Sequence, residues 1–153
     1  MDQNGYVYAD NAATTRVCEE ALEAMKPYFS EFYGNPSSIY SFANKPREAL
    51  AAARAAIAGI INAEPDEIVF TSGGTESDNF AILGAAYENA ARGRHVITTQ
   101  IEHHAVLHTA KRLEKEGFQV TYLPVDGEGF VAPAALEAAL TDETTLVSVM
   151  AAN

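Results

Sequence analysis

The sequence predicts an α/β domain built on a mostly parallel sheet with helices on both faces. Three observations predict it. Short apolar segments at 68–70, 95–99, 118–122 and 146–150 read as strands. Between them run helical stripes joined by short connections, the alternation that parallel sheets require. The first of these strands enters a Gly73-Gly74 turn that leads straight into a helix, so ligand chemistry is expected at the carboxyl ends of the strands.

The elements follow in chain order. Residues 6–15 read as an extended piece and then a polar loop. From Val17 the stripe Val17, Ala21, Leu22, Met25, Tyr28, Phe29 and Phe32 predicts a helix. Glu19 and Glu20 suit its N-terminus, and Pro27 is expected to kink it. Cys18 would sit on that helix in a structural role, since no cation or base adjoins it in sequence. The run at 33–38, Tyr-Gly-Asn-Pro-Ser-Ser, is dense in turn formers and reads as a connector or a substrate-side loop.

An alanine-rich helix is predicted over 46–62, with Leu50, Ala53, Ile57, Ile60 and Ile61 on one face. Arg47 and Arg54, seven apart, are expected on a solvated face. The helix after Gly74 should continue to Ala91 and stop at Gly93. A helix carrying Val106, Ala110 and Leu113 should close at Gly117. Phe118, Val120 and Tyr122 then alternate with polar residues as a strand does. A turn at Asp126-Gly127 precedes a short helix around Leu136 and Leu140. The last strand runs out at Asn153 with no closing helix or polar tail, which predicts a fragment.

Composition narrows the class. The chain has 153 residues, 48% of them hydrophobic and 20% charged, enough for one domain with a core and unlike a disordered chain. A net charge of −11 is unsuited to non-specific nucleic-acid or anionic-membrane binding. One cysteine rules out an internal disulfide framework and fits a reducing compartment. No apolar signal region or 18-residue apolar run occurs. The expectation is a cytoplasmic protein.

Two places carry candidate chemistry. Gly73 and Gly74 lack a Cβ, and Thr75, Glu76 and Ser77 fall near the first helical turn. There, free N–H groups and the positive end of the helix dipole favour an anion. This suits a phosphate cradle, and equally an ordinary strand-to-helix loop with Thr75 or Ser77 as N-cap. Neither the P-loop nor the dinucleotide fingerprint is present. The second place is Glu102-His-His-Ala105. His103, at a strand-to-helix junction, suits either stacking and proton transfer on a planar ligand or helix capping. His104 and His108, four apart, would share a helix face near Glu102, but no third ligand is evident and no metal is expected.

These segments together resemble the pyridoxal-phosphate enzymes of the class V aminotransferase group, and within it the cysteine desulfurases of the NifS/IscS type. The matching pieces are Tyr8-Ala-Asp-Asn-Ala-Ala-Thr-Thr15, Gly34-Asn-Pro-Ser-Ser38, Phe70-Thr-Ser-Gly-Gly-Thr-Glu-Ser-Asp-Asn79, Glu102-His-His-Ala-Val106 and Val147-Ser-Val-Met-Ala-Ala-Asn153. They appear in the family's order and span nearly the whole chain.

The resemblance implies a PLP-dependent transferase type I fold, pyridoxal 5′-phosphate as cofactor, and a homodimer with active sites at the subunit interface. Residues 1–15 become an N-terminal extended segment lining the active site, and residues 16–153 a partial PLP-binding large domain. Gly74 and Thr75 are implied to hold the cofactor phosphate. His103 is implied to stack on the pyridine ring as the catalytic histidine, and Asn11, Ala12, Ala13 and Thr14 to border the substrate pocket.

The implied reaction converts L-cysteine to L-alanine and leaves a persulfide for an iron–sulfur scaffold or other sulfur acceptor protein. The Schiff-base lysine, the aspartate paired with the pyridine nitrogen and the persulfide cysteine match nothing here, and Asn153 matches only the first Asn of the family's Asn-Asn-Glu segment. The chain alone is therefore expected to be inactive. Arg16, Tyr40 and Ala43 stand where the family often has Pro, His and Gly, which touches the substrate-side loop more than the fold. A selenocysteine lyase, a true aminotransferase and a non-catalytic partner-binding fragment are the competing readings. A nucleotide-binding domain is disfavoured by the missing fingerprint.

Overall fold

The computed structural model describes residues 5–153, and its contacts divide the chain between Val69 and Phe70. Residues 1–4 of the expected N-terminal segment lie outside the described residues.

In the first unit, residues 5–18 form neither helix nor strand and are exposed. A turn closes where the Ala13 amide donates to the Asp10 carbonyl at 3.2 Å. Helix α1 (Glu19–Met25) and helix α2 (Pro27–Ser30) are separate elements meeting at Lys26. Pro27 has no N–H to continue the first helix but is well placed to begin a second. The predicted kink is thus a break, and the first helix starts two residues later than its apolar stripe. Cys18 is its exposed N-cap residue rather than part of the packed helix.

Helix α3 (Asn44–Ile61) ends at Asn62, whose left-handed φ of 55° lets its amide reach back to the Ala58 carbonyl. The arginines of α3 do not form the solvated face expected of them. Arg47 donates to the carbonyls of Pro36 (3.0 Å) and Ser38 and to Asn44 Oδ1 (3.2 Å), binding the 33–38 loop to the helix start. Gly34 in that loop is packed so tightly that a Cβ would lie 2.9 Å from both the ring and the carbonyl of Phe42. Arg54 donates to the Ile68 carbonyl. This explains a second departure: residues 68–70 are not a strand. Ile68 is buried, but its amide bonds to the Pro65 carbonyl and its own carbonyl to an arginine. The ladder bonds of a strand are already taken locally.

The second unit holds the sheet. Strands β1 (His95–Thr99), β2 (Gln119–Leu123) and β3 (Thr144–Val147) are all parallel, in the order β2-β1-β3. The β1–β2 register runs from His95 opposite Gln119 to Thr99 opposite Leu123. β1 also pairs Val96 with Leu146, after an irregularity at His95. All five β1 residues are buried, as befits the central strand. His95 bonds both flanking strands, through Thr121 Oγ1 (2.8 Å) and Thr144 Oγ1 (2.7 Å).

Helix α4 (Gly74–Glu88) and helix α5 (His104–Lys115) share one core with the sheet, made of Ile82, Ala86, Val96, Val106, Leu113 and Phe118. Burying such a cluster is the main stabilising contribution, at about 25 cal/mol per Å² of apolar surface. Helix α6 (Pro133–Ala139) packs against β2. Gly93 is required by close approach: a Cβ there would lie 2.3 Å from the Glu143 carbonyl oxygen, which accepts from the His95 amide at 2.9 Å.

Strand limits shift from those expected. The Phe118 amide returns to the Leu113 carbonyl and closes α5, so β2 begins one residue later. At the other edge, pairing ends at Val147, and Met150 turns to a side-chain acceptor instead.

Candidate active site

The start of α4 is held by side chains across its first turn. Glu76 Oε2 accepts from the Ser72 amide (2.6 Å) and the Ser72 hydroxyl (2.8 Å). Those bonds, the amide first, hold the Glu76 carboxyl below its ordinary pKa. Thr71 Oγ1 and Ser77 Oγ share a hydrogen bond of 2.6 Å. The N-cap is Gly73, so Thr75 and Ser77 do not cap the helix; both lie inside it.

The glycines also act differently from the sharp turn expected. Gly73 has φ 161° and ψ 175°, extended backbone that any residue adopts, and Gly74 is helical. A Cβ built on either meets nothing within 4 Å. The chain's own packing does not require glycine at 73 or 74. What their missing Cβ atoms provide is room to approach the first-turn amides of Gly74, Thr75 and Glu76, which have no acceptor within the helix.

His103 caps α5. Its Nδ1 accepts from the Ala105 amide at 3.1 Å, so Nε2 carries the proton of the neutral ring. The capping reading is thus observed, and it leaves the ring exposed. His104 and His108 stack at 5.5 Å between centroids. Glu102 does not join them, being buried with its Oε1 accepting from Thr99 Oγ1 and the Met150 amide, both at 2.9 Å. Among the described residues no group of three or more His, Cys, Asp or Glu is placed to hold a metal.

The two helix starts belong to one end of the sheet. α4 turns back through residues 89–94 into β1, and α5 leaves β1 after four residues, so both run against the strand. Thr109 Oγ1 donates to Asn79 Oδ1 at 2.7 Å, five residues in from the first residue of each helix. Gly74, Thr75 and His103 therefore share the carboxyl edge of β1, the expected location for a ligand in such a sheet. Asn11, Ala12, Ala13 and Thr14 lie in the other unit, in the exposed turn described above.

The sequence reading missed the Ser72–Glu76 cap, because its spacing of four is one longer than the capping-box pattern. It also missed the bonds of Glu102 and Thr109, whose partners Met150 and Asn79 are distant in sequence.

The class-V aminotransferase profile matches residues 7–153. The chain belongs to the class-V aminotransferase family. This class-V domain is 59% identical over 150 residues to the cysteine desulfurase IscS of Clostridium botulinum, covering 98% of the chain and 38% of that protein. It is 54% identical over 151 residues to IscS of Methanosarcina thermophila, covering 99% of the chain and 37% of that protein. Among solved structures, a NifS-like protein superposes with a TM-score of 0.92 at 44% identity, covering 96% of this chain and 40% of that one. SspA in complex with cysteine gives a TM-score of 0.87 at 42% identity, covering 93% of this chain and 41% of that one. The class-V chain thus spans well under half the length of these relatives, and it has their PLP-dependent transferase fold.

Proposed function

We propose that this chain is the phosphate-holding front part of a PLP-dependent cysteine desulfurase. The observation that carries the proposal is the open start of α4 at Gly74 and Thr75, sharing the carboxyl edge of β1 with the exposed ring of His103. The residues fit pyridoxal 5′-phosphate: unpaired first-turn amides for its phosphate, two glycines leaving room beside them, and an imidazole to lie against a planar ring. When bound, the cofactor supplies the electron sink for bond breaking at the substrate.

The chain's own residues would hold and orient. Gly74 and Thr75 would donate amides to the phosphate, and His103 would lie against the ring with its Nε2 available for proton transfer. L-Cysteine as substrate is supported by the desulfurase relatives and by the cysteine complex of SspA. The products would be L-alanine and a persulfide on an enzyme cysteine, passed to an iron–sulfur scaffold or other acceptor protein.

No residue of this chain matches the lysine or the persulfide cysteine of the family, and the exposed Cys18 has neither role. The 153 residues by themselves would then be inactive. The large apolar side chains left exposed, among them Phe29 at 73%, Ile39 at 95% and Phe80 at 63%, suit cover by a second copy, as the proposed homodimer requires, or by the rest of a longer protein. A cytoplasmic location agrees with the single cysteine, and no described helix is long and apolar enough to cross a membrane.

The test is an assay of the protein from its source, beside the isolated chain, for alanine formed from L-cysteine with pyridoxal 5′-phosphate. Alanine and bound sulfane sulfur from the source protein alone are expected. Alanine without sulfane sulfur, or turnover of selenocysteine but not cysteine, would overturn the desulfurase assignment. Turnover by the isolated chain would overturn its predicted inactivity.

A further inference from the structure

The loop between β1 and α5 is tied on both sides. The Gln100 amide donates to the Leu123 carbonyl at the end of β2 (3.1 Å). Toward the segment after β3, the Ile101 carbonyl accepts from Asn153 Nδ2 (2.7 Å), and Glu102 Oε1 accepts from the Met150 amide (2.9 Å). The same Glu102 oxygen takes the hydroxyl of Thr99, the last residue of β1. Glu102 is 6% exposed, and none of the described salt bridges includes it. A buried carboxylate without a cation is costly unless its hydrogen bonds are good, and an apolar side chain would hold neither Thr99 nor Met150.

The next residue is His103. Its backbone follows directly from the latched Glu102, and its ring is pinned by the Ala105 amide. We propose that Glu102 is a positioning residue: by bridging the ends of β1 and β3 it places the His103 ring and the 148–153 segment together at one edge. This rests on the cofactor-binding reading above and adds to it the residue that sets the geometry. Glu102 is buried with Oε1 taken by Thr99 and Met150, so its role would run through His103.

The experiment compares Glu102→Ala and Glu102→Gln in the cofactor-loaded enzyme. It follows Met150 amide exchange, the visible spectrum of the cofactor, and kcat and KM for L-cysteine. Glu102→Ala should speed Met150 exchange about tenfold, the scale of one lost hydrogen bond. It should also shift the cofactor band and lower kcat more than it raises KM. Glu102→Gln keeps a carbonyl oxygen for both donors and should restore the exchange protection, the band and most of kcat. If Glu102→Ala does not fold, Thr99→Val, which deletes one donor and spares the Met150 bond, should give an intermediate shift.

Faster Met150 exchange with an unchanged band and kcat would overturn the positioning role. So would a Glu102→Gln enzyme as impaired as the alanine variant with Met150 still protected. An unsubstituted enzyme with a cofactor band that responds to Glu102→Ala, yet no alanine from cysteine, would sink the desulfurase assignment and leave the positioning role standing.

Discussion

Thr109 and Asn79 join the two helices whose starts form the candidate site: the Thr109 hydroxyl donates to Asn79 Oδ1 at 2.7 Å, while Asn79 Nδ2 donates to the Thr75 carbonyl at 2.8 Å. Thr75 is the proposed phosphate residue, so one amide side chain links it to α5. Thr109 is 2% exposed, and its proton has a second acceptor in the Ala105 carbonyl at 2.8 Å. Thr109→Val keeps the shape and removes the donor. It should lower the unfolding free energy by about 1 kcal/mol, read as a lower urea midpoint at unchanged slope. An unchanged midpoint would mean that the interhelical bond contributes nothing.

Gly74→Ala separates folding from ligand binding. The added Cβ meets no atom of the chain, and alanine is the better helix former, so stability should hold or rise by up to about 1 kcal/mol. Affinity for pyridoxal 5′-phosphate should fall by about tenfold, because one charged hydrogen bond is lost or lengthened. Thermal denaturation and a cofactor titration of the same sample check both halves. Undiminished affinity would remove Gly74 from the phosphate site.

Glu76 gives a pH prediction with a definite sign. Its folded pKa is lowered, chiefly by the Ser72 amide and then by the Ser72 hydroxyl. A lowered carboxylate contributes stability that is complete above the unfolded pKa and lost as pH falls through the folded value. The denaturation midpoints of the native chain and of Glu76→Gln should therefore differ near neutrality and converge in acid. A gap that stays constant from neutrality into acid would show that the charge on Glu76 plays no part in the cap.

Most of the sheet was legible in advance. The short apolar segment at 95–99 and the alternation in 118–122 place β1 and β2 to within a residue, and the spacing of Val106, Ala110 and Leu113 marks the buried face of α5. The short apolar run at 68–70 looked the same and is not a strand. Its fate depends on Arg54, fourteen residues earlier, which takes the Ile68 carbonyl. The Gly73-Gly74 element was expected for two reasons, a tight turn and room for an anion; the tight turn is not there, and the open space beside the helix start is.

The sequence by itself determined the α/β class, the family, and the candidates Gly74, Thr75 and His103. Each of these rests on local pattern: spacing of apolar residues, the chemistry of a turn, or an ordered set of motifs. Tertiary structure alone decided the order β2-β1-β3, the ends of the strands, the Arg47 hold on the 33–38 loop, and the bonds of Glu102 to Thr99 and Met150. Hydrophobic burial leaves a periodic trace along the chain, whereas a hydrogen bond between residues 48 apart leaves none until folding brings donor and acceptor within 3 Å.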